Sequence, residues 1–213
     1  MIAIDYPYVS DFLIRTLISE RIPVIDTPQS RSLIGERQAE GEISFISPGE
    51  AAGILSDDPS VMLYTNSENS LSVLSAADFP AALIEQTGRL KNKVLFRDAL
   101  QSRYPDFSYT AVSSSKLASV DPHSLTYPCV VKPAVGFFSV GVRTLSSPAD
   151  WREYVTGFTG EASWDRHVVD TSSCIIEESI EGDEYAIDCY YSPEGEPVIM
   201  GIYRHLFASA EDV

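Results

Sequence analysis

Tyr127-Pro128-Cys129-Val130-Val131-Lys132-Pro133-Ala134-Val135-Gly136-Phe137-Phe138-Ser139-Val140-Gly141-Val142 is an apolar run that ends on a lysine, then a glycine- and serine-bearing segment that leads into a second apolar run. An ammonium at the end of a buried strand is costly unless an anion meets it. Taken alone, Lys132 equally fits a side chain that lays its methylenes on the sheet and snorkels out. Gly136 and Gly141, with Ser139, free the backbone to gather N–H groups around an anion. A plain hairpin with glycines at its bends has the same appearance. No Gly-Lys-Ser/Thr follows, so this is not a Walker loop. Pro128 to Lys132 and Val140 to Thr144 are expected to pair as strands.

Downstream, Ser147-Pro148-Ala149-Asp150 has the pattern of a helix start: a capping serine, proline at the first helical position and an acid three residues after the cap. Trp151, Tyr154, Val155 and Phe158 then recur at helical spacing, which predicts a buried face. Strands are expected at Cys174 to Glu177 and Tyr185 to Tyr191. Ser192-Pro193-Glu194-Gly195 is a turn that returns Pro197 to Tyr203 as the second arm of a hairpin. The link between the strand and that hairpin is Glu177-Glu178-Ser179-Ile180-Glu181-Gly182-Asp183-Glu184, an extended acidic edge around a glycine turn. Such an edge can offer backbone groups to a planar base and a carboxylate to hydroxyls, and it also fits a solvated surface hairpin.

Upstream, a boundary is expected near Gly88, giving domains 1–88 and 89–213. Val94 to Tyr104 reads as an amphipathic helix with Phe96, Leu100 and Tyr104 on one face, and Ser113 to Ser119 as a loose connection. The first part alternates strand and helix: strands at Met1 to Ile4, Ile22 to Ile25 and Val61 to Tyr64, a helix capped by Ser10, and another begun by Ser47-Pro48-Gly49-Glu50 and stopped by Asp57-Asp58-Pro59. Alternation of this kind predicts a small parallel sheet in a Rossmann-like α/β layer. It lacks G-x-G-x-x-G, and taken alone it carries no functional signal.

With 31 Asp plus Glu against 15 Lys plus Arg, the formal net charge is −16. That excludes general nucleic acid binding, which needs basic side chains to neutralise phosphates, and argues against an anionic membrane surface as partner. A hydrophobic content of 44% is that of an ordinary folded protein. Cys129, Cys174 and Cys189 sit in apolar runs without metal or redox spacing and are expected to be buried thiols. The start, Met1-Ile2-Ala3-Ile4-Asp5, has no signal-peptide pattern, and a cytoplasmic location is expected.

Each element is ambiguous alone; their order is not. A lysine at a helix head, strand-Lys-Pro, a Gly/Ser loop, a capped helix and E-E-x-I-x-G-x-E resemble the nucleotide-binding half of the ATP-grasp superfamily, over about residues 89 to 204. The fold implied is a Rossmann-like pre-ATP-grasp domain followed by an α+β ATP-grasp subdomain with antiparallel strands. The resemblance implies ATP and Mg2+, with Lys132 and Lys93 on the phosphates and Gly136, Ser139 and Gly141 in the covering loop. It puts Glu177 near the adenine amino group, Glu178 and Ile180 on the hinge that reads the base, and Glu184 on the ribose hydroxyls. Phe137 and Phe138 depart from the small residues usual in that loop. The activity implied is a ligase that activates a small-molecule carboxylate as an acyl phosphate for an amine or thiol; a nucleotide-binding or assembly module without turnover is the alternative. No residue is assigned to metal or to the chemical step: the acids and Asn that hold magnesium in the family belong beyond the hinge, so the chain is expected to stop short of them. A phosphate role is left open for Arg204, and His205 is expected to be structural or solvent-facing rather than a catalytic base. Substrate and oligomeric state are left open.

Overall fold

The computed structural model describes residues 1–37, 39, 41–136, 141–157, 170–192 and 194–206. They fall into two compact units, Met1–Leu90 and Lys91–Val213.

In the first unit, β1 (Ile2–Ala3), β2 (Val24–Ile25), β3 (Phe45–Ile46) and β4 (Tyr64–Thr65) form a parallel sheet in the order β3-β2-β1-β4. Helices α1 (Asp11–Ser19), α2 (Pro28–Gly35) and α3 (Pro48–Asp57) connect its strands. Successive strand side chains point to opposite faces, and the core divides accordingly. Ile2, Ile4 and Val24 pack with Ile14, Leu17, Leu33 and Ile34, whereas Ala3 and Ile25 pack with Ala51, Ala52, Leu55 and Phe79. Both faces are covered, as parallel sheets require.

Local hydrogen bonds start the helices where the sequence marks them. Ser10 Oγ accepts from the Leu13 N–H at 3.0 Å, and Ser47 and Glu50 exchange the two bonds of a capping box. Thr27 and Ser30 form a second such box at the head of α2, an element outside the sequence expectations. The last strand lies at Tyr64–Thr65 rather than Val61 to Tyr64, because Tyr64 is the residue whose N–H reaches the Met1 carbonyl.

The next helix, α4 (Ala81–Lys91), contains Gly88 within its span. Asn92 then caps α5 (Lys93–Leu100), its side chain accepting from the Val94 and Leu95 N–H groups. Helix α5 is shorter than the expected Val94 to Tyr104, and Phe96 and Tyr104 are exposed. The second unit is built on β5 (Tyr109–Ser113), β6 (Cys129–Val135), β7 (Arg143–Leu145) and β8 (Asp170–Glu178), an antiparallel sheet in the order β5-β8-β6-β7. Strand β5 was not expected from sequence.

Helix α6 (Pro148–Gly157) begins at the Ser147–Asp150 cap and seats Trp151 on one face of this sheet. There Cys129, Val131, Leu145, Cys174 and Ile176 are buried with Leu117 from a 3₁₀ turn, Ser114–Ser119. Phe158 lies outside the described residues. A separate antiparallel hairpin follows, β9 (Tyr185–Tyr191) with β10 (Pro197–Arg204). Every residue of β9 is exposed, which corrects the expectation for Cys189: only Cys129 and Cys174 are buried thiols. Cys189 stands on a strand that no layer covers among the described residues. No helix among the described residues is long and apolar enough to cross a membrane.

Candidate functional site

The alternation that sends Cys129 and Val131 into the α6 core sends Val130, Lys132 and Ala134 to the opposite face of β6. On β8 the same rule puts Ile175 and Glu177 on that second face, since Lys132 pairs with Ile175 and Val130 with Glu177. Lys132 and Glu177 are thus diagonal neighbours across the ladder, within reach of a long side chain. The Lys132 ammonium does reach the Oε1 side of the Glu177 carboxylate. Helix α5 adds a second cation: Arg97 Nε donates to Glu177 Oε2 at 2.9 Å, and its guanidinium stacks on Phe107 at 4.3 Å.

Glu177 is the one buried charged side chain among the described residues, at 5% exposure. Burial pushes its carboxyl up, but the hydrogen bonds and charges of Arg97 and Lys132 outweigh burial and hold it below the usual carboxylate range. One turn before Arg97, on the same side of α5, Lys93 Nζ donates to the Gly136 carbonyl at 2.8 Å. Gly136 ends β6's run toward the Gly/Ser loop. Nearby, the Tyr109 hydroxyl donates to Asp98 Oδ1 at 2.6 Å.

Two cations from two elements therefore meet one buried carboxylate, and a third, Lys93, is bonded to the Gly136 carbonyl at the end of β6. Lys93, Lys132, Gly136 and Glu177 are brought together; Ser139, with Phe137 and Phe138, lies outside the described residues. Gly141, where the chain rejoins the described structure, has φ +74°, and a Cβ on it would stand 3.1 Å from Pro133 Cγ. Glycine is required there by backbone conformation and by contact alike.

The end of β8 is tied on both sides: the Glu178 N–H donates to the Ser108 carbonyl and the Ser179 N–H to the Pro128 carbonyl, both at 2.9 Å. Ile180 is exposed just beyond. Glu184 stands at the base of the hairpin, its Oε1 2.8 Å from His205 Nδ1, while Arg204 pairs with Asp183 at 2.7 Å. Sequence reasoning missed Arg97. Its signal was the four-residue step from Lys93, which puts both cations on one side of an amphipathic helix.

Among the described residues no group of three His, Cys, Asp or Glu side chains could hold a metal ion. These residues do not fit a protein-built magnesium site.

Residues 125–213 match the family model of the ATP-grasp domain. Over that stretch, which is less than half of the chain, the sequence is similar to the ATP-grasp family. Solved structures agree on the fold. The L-amino acid ligase of Bacillus licheniformis superimposes with a TM-score of 0.56 at 16% identity, over 95% of this chain and 51% of that one. The N5-carboxyaminoimidazole synthase of Aspergillus clavatus, in complex with ADP and 5-aminoimidazole ribonucleotide, gives 0.55 at 13% identity, over 98% and 54%. An ADP complex of N5-carboxyaminoimidazole ribonucleotide synthetase gives 0.55 at 16%, over 94% and 52%. No curated protein matches by sequence. The chain spans about half the length of these solved structures.

Proposed function

We propose that this chain supplies the triphosphate-holding part of an ATP-dependent ligase, one that activates a carboxylate as an acyl phosphate for attack by an amine or thiol. The observation that carries the reading is that Arg97 and Lys132 meet on Glu177, the one buried charged side chain among the described residues, while Lys93 of the same helix as Arg97 is bonded to the Gly136 carbonyl. A phosphate chain arriving at the root of the 136–141 loop would meet a local surplus of cations on a protein whose net charge is −16. Desolvated cations of this kind are worth far more to an anion than the same charges in water.

In this reading Lys93 and Lys132 take the phosphates, and the loop from Gly136 through Ser139 to Gly141 lies over them. The backbone at Glu178 and Ile180 borders the base, and Glu184 bonds the ribose hydroxyls. Glu177 serves as counter-ion to the lysine rather than as a free acceptor, since both of its oxygens are engaged. Magnesium, when bound, neutralises phosphate charge. The protein's share is positioning and electrostatics. ADP in two of the structurally similar ligases supports a nucleotide at this fold.

The test is calorimetric titration of the chain with ATP and magnesium, beside Lys132→Ala and Glu184→Ala. Binding that both substitutions weaken by about tenfold or more is the expected result, the size lost with a charge-assisted hydrogen bond. A folded chain that binds no ATP would sink the proposal. Binding without turnover, once carboxylate and amine are supplied, would leave a nucleotide-binding module in place of a ligase.

A further inference from the structure

Glu177 has two partners of unequal character. Lys132 reaches it from the neighbouring strand along a flexible four-carbon stem, and its side chain keeps 21% exposure. Arg97 reaches it from α5 with a planar guanidinium clamped against Phe107. An ammonium on a flexible stem can change anions; a stacked, planar guanidinium is suited to stay. If Lys132 were the sole partner, moving it to an incoming phosphate would strand a carboxylate at 5% exposure without a counter-charge. The move would then be opposed by the cost of that orphaned anion. Arg97 removes the conflict.

We infer that Arg97 is a positioning residue that holds Glu177 ionised and in place, so that Lys132 is free to exchange the carboxylate for a phosphate. The inference rests on the nucleotide reading above and adds a division of labour within it. Arg97 touches no nucleotide; it acts through Glu177 on the availability of Lys132. Lys93, bonded to Gly136 O, reports the same site from the loop side and is untouched by the exchange.

A double-mutant cycle tests this on the full chain, with ATP and magnesium as the probe and calorimetry as the readout. Arg97→Gln keeps bulk against Phe107 but removes the charge, and is expected to weaken ATP binding about tenfold, because Glu177 then competes for Lys132. Adding Glu177→Gln should restore affinity to within about threefold of Glu177→Gln alone, since a neutral amide no longer claims the ammonium. Arg97→Lys, which keeps a cation and adds a control for folding, should retain most of the wild-type affinity. An Arg97→Gln protein that binds like wild type overturns the inference, and so does a double variant no better than Arg97→Gln, because a merely structural arginine would not be rescued by neutralising its partner. A folded wild-type chain that binds no ATP is a different failure: it removes the nucleotide reading and this inference with it.

Discussion

The second unit contains two antiparallel sheets of similar composition and opposite fate. In β5-β8-β6-β7, one face is sealed by α6 and the other holds a buried ion cluster; Val131 and Ile175 are fully buried. In β9–β10, Ile187, Ile199, Ile202, Tyr190 and Tyr203 are all more than half exposed, although the ladder is fully paired apart from one bulge at Met200. Backbone pairing is thus equally available to both. What differs is cover. Strand residues such as Val, Ile and Tyr specify a pleated surface, but burial comes from whatever lies on it. A lone two-stranded hairpin is marginal in water.

The largest expected effect that sharpens this contrast is at Trp151. Trp151→Ala empties the centre of the α6 face and should cost about 3–5 kcal/mol by urea denaturation; a loss below 1 kcal/mol would mean that α6 does not seal the sheet. Next is Lys132→Ala, which leaves Glu177 with Arg97 alone and should cost about 1–3 kcal/mol in the absence of nucleotide. The same carboxylate predicts a pH dependence. Its folded pKa lies below its unfolded value, so its contribution is fully present above the ordinary carboxylate range and is lost as pH falls through the folded pKa. Wild type should therefore lose stability on acidification faster than Glu177→Gln, and parallel pH profiles would contradict the buried ion cluster.

Smaller still is Gly141→Ala, expected at about 1–2 kcal/mol from left-handed backbone and the Pro133 contact. Smallest is the paired change Ile187→Ser with Ile202→Ser, opposite each other on the hairpin. Thermal melting should shift by the equivalent of about 0.5 kcal/mol or less, as for exposed positions. A cost of several kcal/mol there would break the comparison, because the hairpin faces would then have to be covered.

What was legible in the sequence is what local chemistry decides. Ser10, Ser47 and Ser147 start helices because each hydroxyl meets an N–H three residues on, a partner visible in the same stretch of sequence. The β9–β10 hairpin was legible for the same reason, its turn lying between its arms. Strand β5 was not, since Tyr109 to Ser113 become a strand only by pairing with Ser173 to Glu177, a partner more than a helix and two strands away. Within the site, Lys132, Glu177 and Gly136 announced themselves by their order along the chain. Arg97 did not, because its carboxylate lies 80 residues later and its one local signal, the four-residue step from Lys93, does not name that partner. Cys189 was misjudged because apolar neighbours in sequence do not guarantee a covering layer in space.

The strand order β5-β8-β6-β7 has a consequence for the chain as it is synthesised. β6 and β7 can zip together as soon as both have left the ribosome, but the slot between β5 and β6 stays open until Asp170–Glu178 emerges. During that interval two strand edges are unpaired, the condition under which nascent chains invite chaperones or wrong partners. Glu177 rides on the strand that fills the slot. Lys132 and Arg97 therefore wait without their carboxylate until the gap closes, and completion of the sheet and charge compensation of the cations happen in one non-local step, the kind that slows folding.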